Sequence, residues 1–333
     1  MNLKTIAKEA GVSVMTVSNV INGKQGKVSA MTRAKIEEII KKYNYTPNQN
    51  ARTLVGAKSR LIGLIFHATA DGFVDNPYYG QLIGMIEPRL GQEDYFLLVK
   101  STQSIQEALS VIKTWNVESV IFVGLFERDV VAVKNELKIP FICLDTFAKN
   151  EGITCISADD QLGGYEATRY LIENGHEKLL FLSPKINQDG VVKERYEGFQ
   201  RVLTESGLLH QAKYLEVEKC TLEAGQTIAK QVAQLEVTAV LATADILAIG
   251  LIQGLKLLGN SVPDDISVIG FDNLEVSQLI TPSLSSIDQQ LSQKVDKAIQ
   301  QLVKLLKSPD SSGEVIKIKP NLVSRESVKV LNR

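Results

Sequence analysis

Two groups of side chains in this sequence are equipped to recognise something. Near the start, Val14, Met15, Thr16, Ser18 and Asn19 follow the short turn Gly11-Val12-Ser13. Hydroxyls and an amide on one helical turn can exchange hydrogen bonds with base edges, and apolar tips can contact thymine methyls. Val14 and Met15 carry no bidentate hydrogen-bonding group, so they would read methyls and shape and leave polar readout to Asn19 and Thr16. The second group stands at the ends of apolar runs: Asp145 after Phe141–Leu144, Asp245 after Ala239–Thr243, and Asp272 after Ser267–Phe271. A carboxylate accepts from two hydroxyls at once, and Arg195 offers a planar fork of donors, so together they suit a polyol. Asp160, Asp264 and Asp265 read instead as caps or turn residues.

Spacing shows the elements that must carry these groups. Leu3, Ile6, Ala7 and Ala10 share one face of a first helix, and Gly11 supplies a turn residue that tolerates positive φ. Ser13 is placed to cap a second helix from Val14 to Asn22, with Val17, Val20 and Ile21 inward and Gly23 ending it. Ser29 opens a third helix, Ala30 to about Tyr43, whose Ile36, Ile39 and Ile40 close a small core. In a helix-turn-helix the start of the second helix meets the major groove. Spacing alone leaves an ordinary helical hairpin open as the alternative.

Charge favours nucleic acid. Residues 1–60 carry 8 Lys and 3 Arg against 3 Glu, a net of +8, while the whole chain is −1, so residues 61–333 carry −9. A basic head on an acidic body suits phosphate contact at one end only. Lys4, Lys8, Lys24, Lys27, Arg33, Lys35, Lys41 and Lys42 are candidate phosphate contacts.

From residue 61 onward, short β-rich apolar runs alternate with amphipathic stretches. Strands are predicted at Leu61–Phe66, Tyr95–Val99, Ser119–Val123, Phe141–Leu144, Lys178–Leu182, Ala239–Ala242 and Ser267–Phe271. Helices are predicted between them, among others at Tyr79–Gln92, Ile105–Trp115, Leu162–Asn174, Val192–Ser206, Leu222–Leu235 and Ile246–Leu258. Such alternation builds parallel α/β sheets, and the run is long enough for two, facing each other across a cleft. At 333 residues, 44% of them hydrophobic, the chain can form two or three domains with a large core. It has no apolar run of membrane-spanning length and no apolar leader at its start, which predicts a cytoplasmic protein without membrane contact. Cys143, Cys155 and Cys220 are widely spaced and odd in number, as reduced thiols would be. The three histidines show no metal spacing, and neither a metal nor a cofactor is expected.

The head resembles the lac repressor (LacI/GalR) family of bacterial transcription regulators. The resemblance is carried by Ile6-Ala7-Lys8-Glu9-Ala10-Gly11-Val12-Ser13, by Thr16-Val17-Ser18-Asn19-Val20-Ile21-Asn22, and by Tyr45-Thr46-Pro47-Asn48 with Ala51-Arg52-Thr53-Leu54. It continues through Asp159–Gly164, Arg195–Phe199, Val262–Asp272 and Leu322–Ser327. The resemblance implies a helix-turn-helix domain at 1–46, a hinge helix at 47–58 and a periplasmic-binding-protein-like core at 59–333. In that core one lobe takes about 61–158 and 291–319, the other about 159–290 and 320–333. It adds Thr5, Asn22, Lys27 and Ala51 to the DNA-binding set and makes Leu54 a wedge into the minor groove at the operator centre. For an effector it implies Gln289 beside Asp145, Asp245, Asp272 and Arg195, with Tyr78 and Tyr79 as an aromatic pair at the cleft mouth. The spacing of Tyr79 with Ile83 and Ile86 also suits a core residue. Two departures stand out: Gln290 occupies a position where many relatives have proline, and the Phe66–Pro77 loop is long, as in repressors of oligosaccharide operons.

The expectation is a dimeric, sugar-responsive repressor of a pseudo-palindromic operator in double-stranded DNA. A corepressor that tightens binding remains the alternative within the class. A freestanding small-molecule-binding protein shares the cleft but has no use for the basic head. An enzyme is not expected: the sequence has no nucleophile elbow, no phosphate-cradling glycine loop after the first strand and no clustered His or Cys ligands.

Overall fold

Helix starts in the amino-terminal segment are set by side-chain caps. Asn2 accepts from the Thr5 amide at 3.0 Å and begins α1 (Leu3–Ala10), which Gly11 ends at φ 70°. Ser13 accepts from the Thr16 amide at 3.1 Å to begin α2 (Val14–Ile21), and Ser29 from the Thr32 amide at 3.2 Å to begin α3 (Ala30–Lys42). Ile6, Ala7, Ala10, Val17, Val20, Ile36 and Ile39 pack as the core of this small unit. The computed structural model describes residues 2–21, 26–45, 58–67, 76–146, 152–187, 189–309 and 311–331. The expected hinge helix, apart from Lys58, lies outside the described residues, as do Asn22, Ala51 and Leu54. The chain divides into two compact units, Met1–Ser59 and Arg60–Arg333.

The larger unit is built on two six-stranded sheets. The first contains β1 (Leu61–His67), β2 (Phe96–Thr102), β3 (Ser119–Val123), β4 (Phe141–Leu144), β5 (Thr154–Ala158) and β11 (Val315–Ile318). They run in the order β11-β5-β4-β3-β1-β2, all parallel. The second contains β6 (Leu179–Pro184), β7 (Lys213–Val217), β8 (Ala239–Ala242), β9 (Ser267–Phe271), β10 (Ser285–Asp288) and β12 (Asn321–Val323). Its order is β12-β10-β9-β8-β6-β7, parallel except for the β10–β12 pair. Parallel sheets covered on both faces need strands that are apolar throughout, and every residue of β3, β8 and β9 is buried.

Helices cover both faces. α4 (Pro77–Gln92) and α12 (Leu291–Lys307) pack on one face of the first sheet through Leu82, Ile86, Leu90, Val295, Ala298 and Leu302. α5 (Ile105–Trp115) and α6 (Glu127–Glu136) cover the other. On the second sheet, α7 (Asp160–Glu173) and α8 (Val191–Glu205) take one face, and α9 (Leu222–Val232) and α10 (Asp245–Leu257) the other. A short α11 (Val276–Leu279) follows β9. The chain leaves the first sheet after β5, returns to it through α12 and β11, and ends on the second with β12.

α7 and α8 touch backbone to backbone at Gly164 and Gly198. A Cβ on Gly198 would lie 2.1 Å from the Gln161 carbonyl oxygen, and one on Gly164 2.1 Å from that of Arg195. This crossing brings Asp160, at the start of α7, to Arg195 on α8. Gly198→Ala is expected to lower stability by about 2 kcal/mol, because backbone overlap outweighs the gain of about 1 kcal/mol in helix propensity. Urea unfolding checks this; a variant as stable as the parent would refute the tight crossing.

Candidate ligand cleft and nucleic-acid interface

Groups beyond the carboxyl ends of parallel strands converge on one region of the larger unit. Asp145 ends β4 at φ 50° and Asp272 ends β9 at φ 116°. Positive φ is costly for any residue with a Cβ, though least so for Asp and Asn, so both carboxylates sit on strained backbone turned out of their sheets. Each remains partly exposed.

Between them lies Lys294, fully buried. Its Nζ donates to Asp145 Oδ1 at 2.6 Å, Tyr78 Oη at 2.7 Å and Gln289 Oε1 at 2.9 Å. Tyr78 in turn donates to Asp145 Oδ2, and the Gln289 amide donates to Asp272 Oδ1, both at 2.5 Å. Sequence reasoning missed Lys294. The signal was present, since it interrupts the apolar stripe of Leu291, Val295, Ala298 and Leu302 on α12.

Arg195 and Asp160 form a second buried pair. Arg195 Nε donates to Asp160 Oδ1 at 2.7 Å, Nη1 donates to the Thr243 carbonyl at 2.5 Å, and the guanidinium lies 3.6 Å from the Phe271 ring centroid. Asp160 is therefore no cap: Asp159 caps α7 by accepting from the Leu162 amide. The second oxygen of Asp160 is buried without a hydrogen-bond partner, and burial pushes its carboxyl above the usual range.

Two expected ligand contacts turn inward. Asp245 is fully buried at the start of α10; Oδ2 accepts from the Leu274 amide and the Ser277 hydroxyl, and Oδ1 from the Ser286 hydroxyl. It braces the turn after β9, because three donors from its own chain already hold it. Tyr78 is buried with its hydroxyl committed between Lys294 and Asp145, so it is not an aromatic at a cleft mouth. Tyr79 is half-buried against Phe66, with ring centroids 4.7 Å apart, and packs on the first-sheet core. Among the described residues no cluster of three metal-ligating side chains occurs. A cavity of about 850 Å³ lies along Pro77, Glu216, Lys219, Leu222, Glu223 and Ile246.

In the amino-terminal unit, Val14 and Met15 stand out from the start of α2, 40% and 66% exposed. Thr16, Ser18 and Asn19 are half-buried along the same helix, and the Thr16 hydroxyl shares a 2.9 Å hydrogen bond with Ser13. Thr5 and Lys27 are exposed, and the Thr5 hydroxyl donates to Asn2 Oδ1. Lys42, one of the candidate phosphate contacts, instead reaches Glu9 at 2.9 Å and ties α3 to α1.

Comparison with known proteins puts these two regions in one lineage. Residues 2–48 match the family of bacterial regulatory proteins described as lacI, and residues 168–328 match a periplasmic binding protein-like domain. The chain is 31% identical to the HTH-type transcriptional repressor PurR of Mannheimia succiniciproducens, over 98% of both chains. It is 27% identical to the ribose operon repressor of Haemophilus influenzae, again over 98% of both. Its fold superposes on the lac repressor dimer bound to operator and the anti-inducer ONPF, with TM-score 0.85, 25% identity and 99% of each chain covered.

The buried carboxyls make stability depend on pH. Burial pushes Asp272 up to about 8 and Asp245 up to about 6, against opposing pulls from Arg195 on the first and from Ser277 and Ser286 on the second. Both bind a proton more readily folded than unfolded. Their contribution is therefore complete below about pH 4 and is lost as pH rises through the folded values. Asp272→Asn is expected to flatten the fall in melting temperature between about pH 6 and pH 9. A fall of unchanged steepness would mean that Asp272 is ionised throughout.

Proposed function

The chain belongs to the lacI family of bacterial regulatory proteins as a DNA-binding transcriptional repressor with a small-molecule-binding domain, and on that premise we propose that it represses a carbohydrate-utilisation operon and is released by a sugar. The observation that carries the sugar is the charge inventory of the cleft. Asp145 and Asp272 offer partly exposed acceptor oxygens, while both buried cations are already charge-paired, Arg195, whose fork keeps further N–H donors, with Asp160, and Lys294 with Asp145. Acceptors in excess of available donors suit a ligand rich in hydroxyls. Arg195, Asp145, Asp272 and Gln289 are the groups we assign to it, with Tyr79 beside them. The cavity of about 850 Å³, whose lining includes Pro77 and Ile246, next in sequence to Tyr78 and Asp245, has the volume for more than one sugar ring.

Operator contact falls to Val14, Met15, Thr16, Ser18, Asn19 and Asn22 on base edges, to Thr5, Lys27 and Ala51 near them, and to Leu54 as the minor-groove wedge. A homodimer reading a pseudo-palindrome in the cytoplasm fits the exposed Leu257 and Leu279, 84% and 77% accessible, which suit a self-interface. Sugar bound between the sheets would shift their relation and lower operator affinity, a coupling of about 1–3 kcal/mol.

Selecting genomic duplex fragments with the full chain, with and without a panel of mono- and disaccharides, tests the proposal. The expected result is a fragment set released by one sugar; binding seen only in the presence of a sugar would make that sugar a corepressor. Asp272→Ala is expected to abolish release, read as an operator affinity that no longer changes when the sugar is added. Operator affinity is also expected to fall by about a thousandfold between 50 and 200 mM salt if about six phosphates are contacted. A flat salt profile would refute the phosphate contacts.

A further inference from the structure

Lys294 is a cation withdrawn from solvent. Burying an ammonium is costly unless it is paired and its protons are satisfied. Here all three protons are taken, and the acceptors belong to different parts of the fold. Asp145 closes β4 of the first sheet, Tyr78 lies on α4 over that sheet, and Gln289 follows β10 of the second. From Gln289 the hydrogen-bonded path continues to Asp272 at the end of β9.

The start of α12 is held to match. Gln290 takes φ 54°, and its amide donates to Asp288 Oδ1 at 2.7 Å. Proline could provide neither, because its ring fixes φ near −65° and it has no N–H. The residue type at this turn thus sets the first turn of the helix on which Lys294 sits.

We infer that Lys294 is the positioning residue of the ligand cleft: it ties Asp145 on the first sheet to Asp272 on the second through Gln289, and so sets the separation of the two acceptors that a ligand meets. This rests on the cleft being the effector site. A ligand hydroxyl that takes the place of the Gln289 amide on Asp272 cuts the tie, which links occupancy to the relation of the two sheets. With the protons of Lys294 spoken for and Arg195 paired with Asp160, an anionic ligand finds both buried cations already neutralised. The effector class is therefore an uncharged polyol rather than a sugar phosphate.

A double-mutant cycle on the full chain tests the tie: Lys294→Met, Asp145→Asn and both together, read as melting temperature against pH. The charged groups facing Lys294 are Asp145 directly, and Asp272 and Asp160 at longer range. Lys294→Met is expected to lower the melting temperature by about 10 °C near neutrality, as loss of one partner from a buried pair does. It should also deepen the loss with rising pH, because the carboxylates lose their cation. Adding Asp145→Asn should restore at least half of the loss. No restoration, with a pH profile parallel to the parent's, would show that Lys294 only fills space and would overturn the inference. Should Lys294→Met fail to fold, Gln289→Leu cuts the tie one link further on. Its pH-dependent loss should then have a midpoint moved to higher pH, and an unmoved midpoint overturns the inference equally. None of these measurements uses operator or sugar, so their outcome is independent of the sugar assignment. Matched pairs, ribose with ribose 5-phosphate and glucose with glucose 6-phosphate, test the ligand class by thermal shift. A shift from the neutral member alone supports it; a shift from the phosphate alone, or from neither, counts against it.

Discussion

An ammonium without access to water cannot stay charged alone, so Lys294 obliges Asp145, Tyr78 and Gln289 to converge on it. Much of the larger unit's architecture can be followed outward from that demand. Asp145 reaches Lys294 from the end of β4 on a left-handed residue, and α12 brings the lysine across from the second sheet to the first. Arg195 repeats the demand at a second buried pair. Its partner Asp160 arrives only because Gly164 and Gly198 let α7 and α8 cross with their backbones in contact. Each sheet thus holds its own buried pair, Lys294 with Asp145 on the first and Arg195 with Asp160 on the second, and Gln289 joins Lys294 to Asp272 across them.

The buried carboxylates differ in what surrounds them, and that difference sorts them into roles. Asp245 has three donors from its own chain and is withdrawn from solvent, which makes it a brace for the turn that carries Asp272 and Asn273. Asp272 accepts one amide hydrogen from Gln289 and keeps part of its surface open. Fewer fixed partners and a raised proton affinity leave it responsive to whatever enters the cleft. Residue type alone could not separate the two, since each is an aspartate just past a buried strand.

What the sequence made legible follows the same physics. The bounds expected for β3, β4, β8 and β9 are those observed, because these covered strands read as apolar runs, whereas β5, buried throughout, went unseen because Thr154 and Ser157 interrupt its run. β10 went unseen because Ser285 and Ser286 break its apolar run; their hydroxyls are satisfied by the Arg325 amide and by Asp245, distant partners that no local pattern reveals. β7, β11 and β12 lie at sheet edges with lysine, glutamate or asparagine among their residues, so they too lacked the apolar signature. In the cleft, Arg195, Asp145, Asp272 and Gln289 come together. Tyr78 and Asp245 were legible as chemistry but not as burial, because the groups that absorb them lie far along the chain.

The division of charge along the chain fits the same logic of committed partners. The +8 of residues 1–60 includes Lys42, which is tied to Glu9, while Lys4, Lys8, Lys35 and Lys41 are exposed. A surface ammonium in water is inexpensive to keep and ready for a phosphate, whereas a buried one must be matched in place. The larger unit places its buried cations against carboxylates and carries a net −9 beyond residue 60. One chain therefore holds exposed positive charge in the DNA-binding unit, where a polyanion is to be met, and immobilised positive charge in the cleft of the larger unit. Exchanging the two arrangements would weaken both tasks: an open cation in the cleft would admit anions, and a neutralised head would lose the salt-dependent attraction on which duplex binding depends.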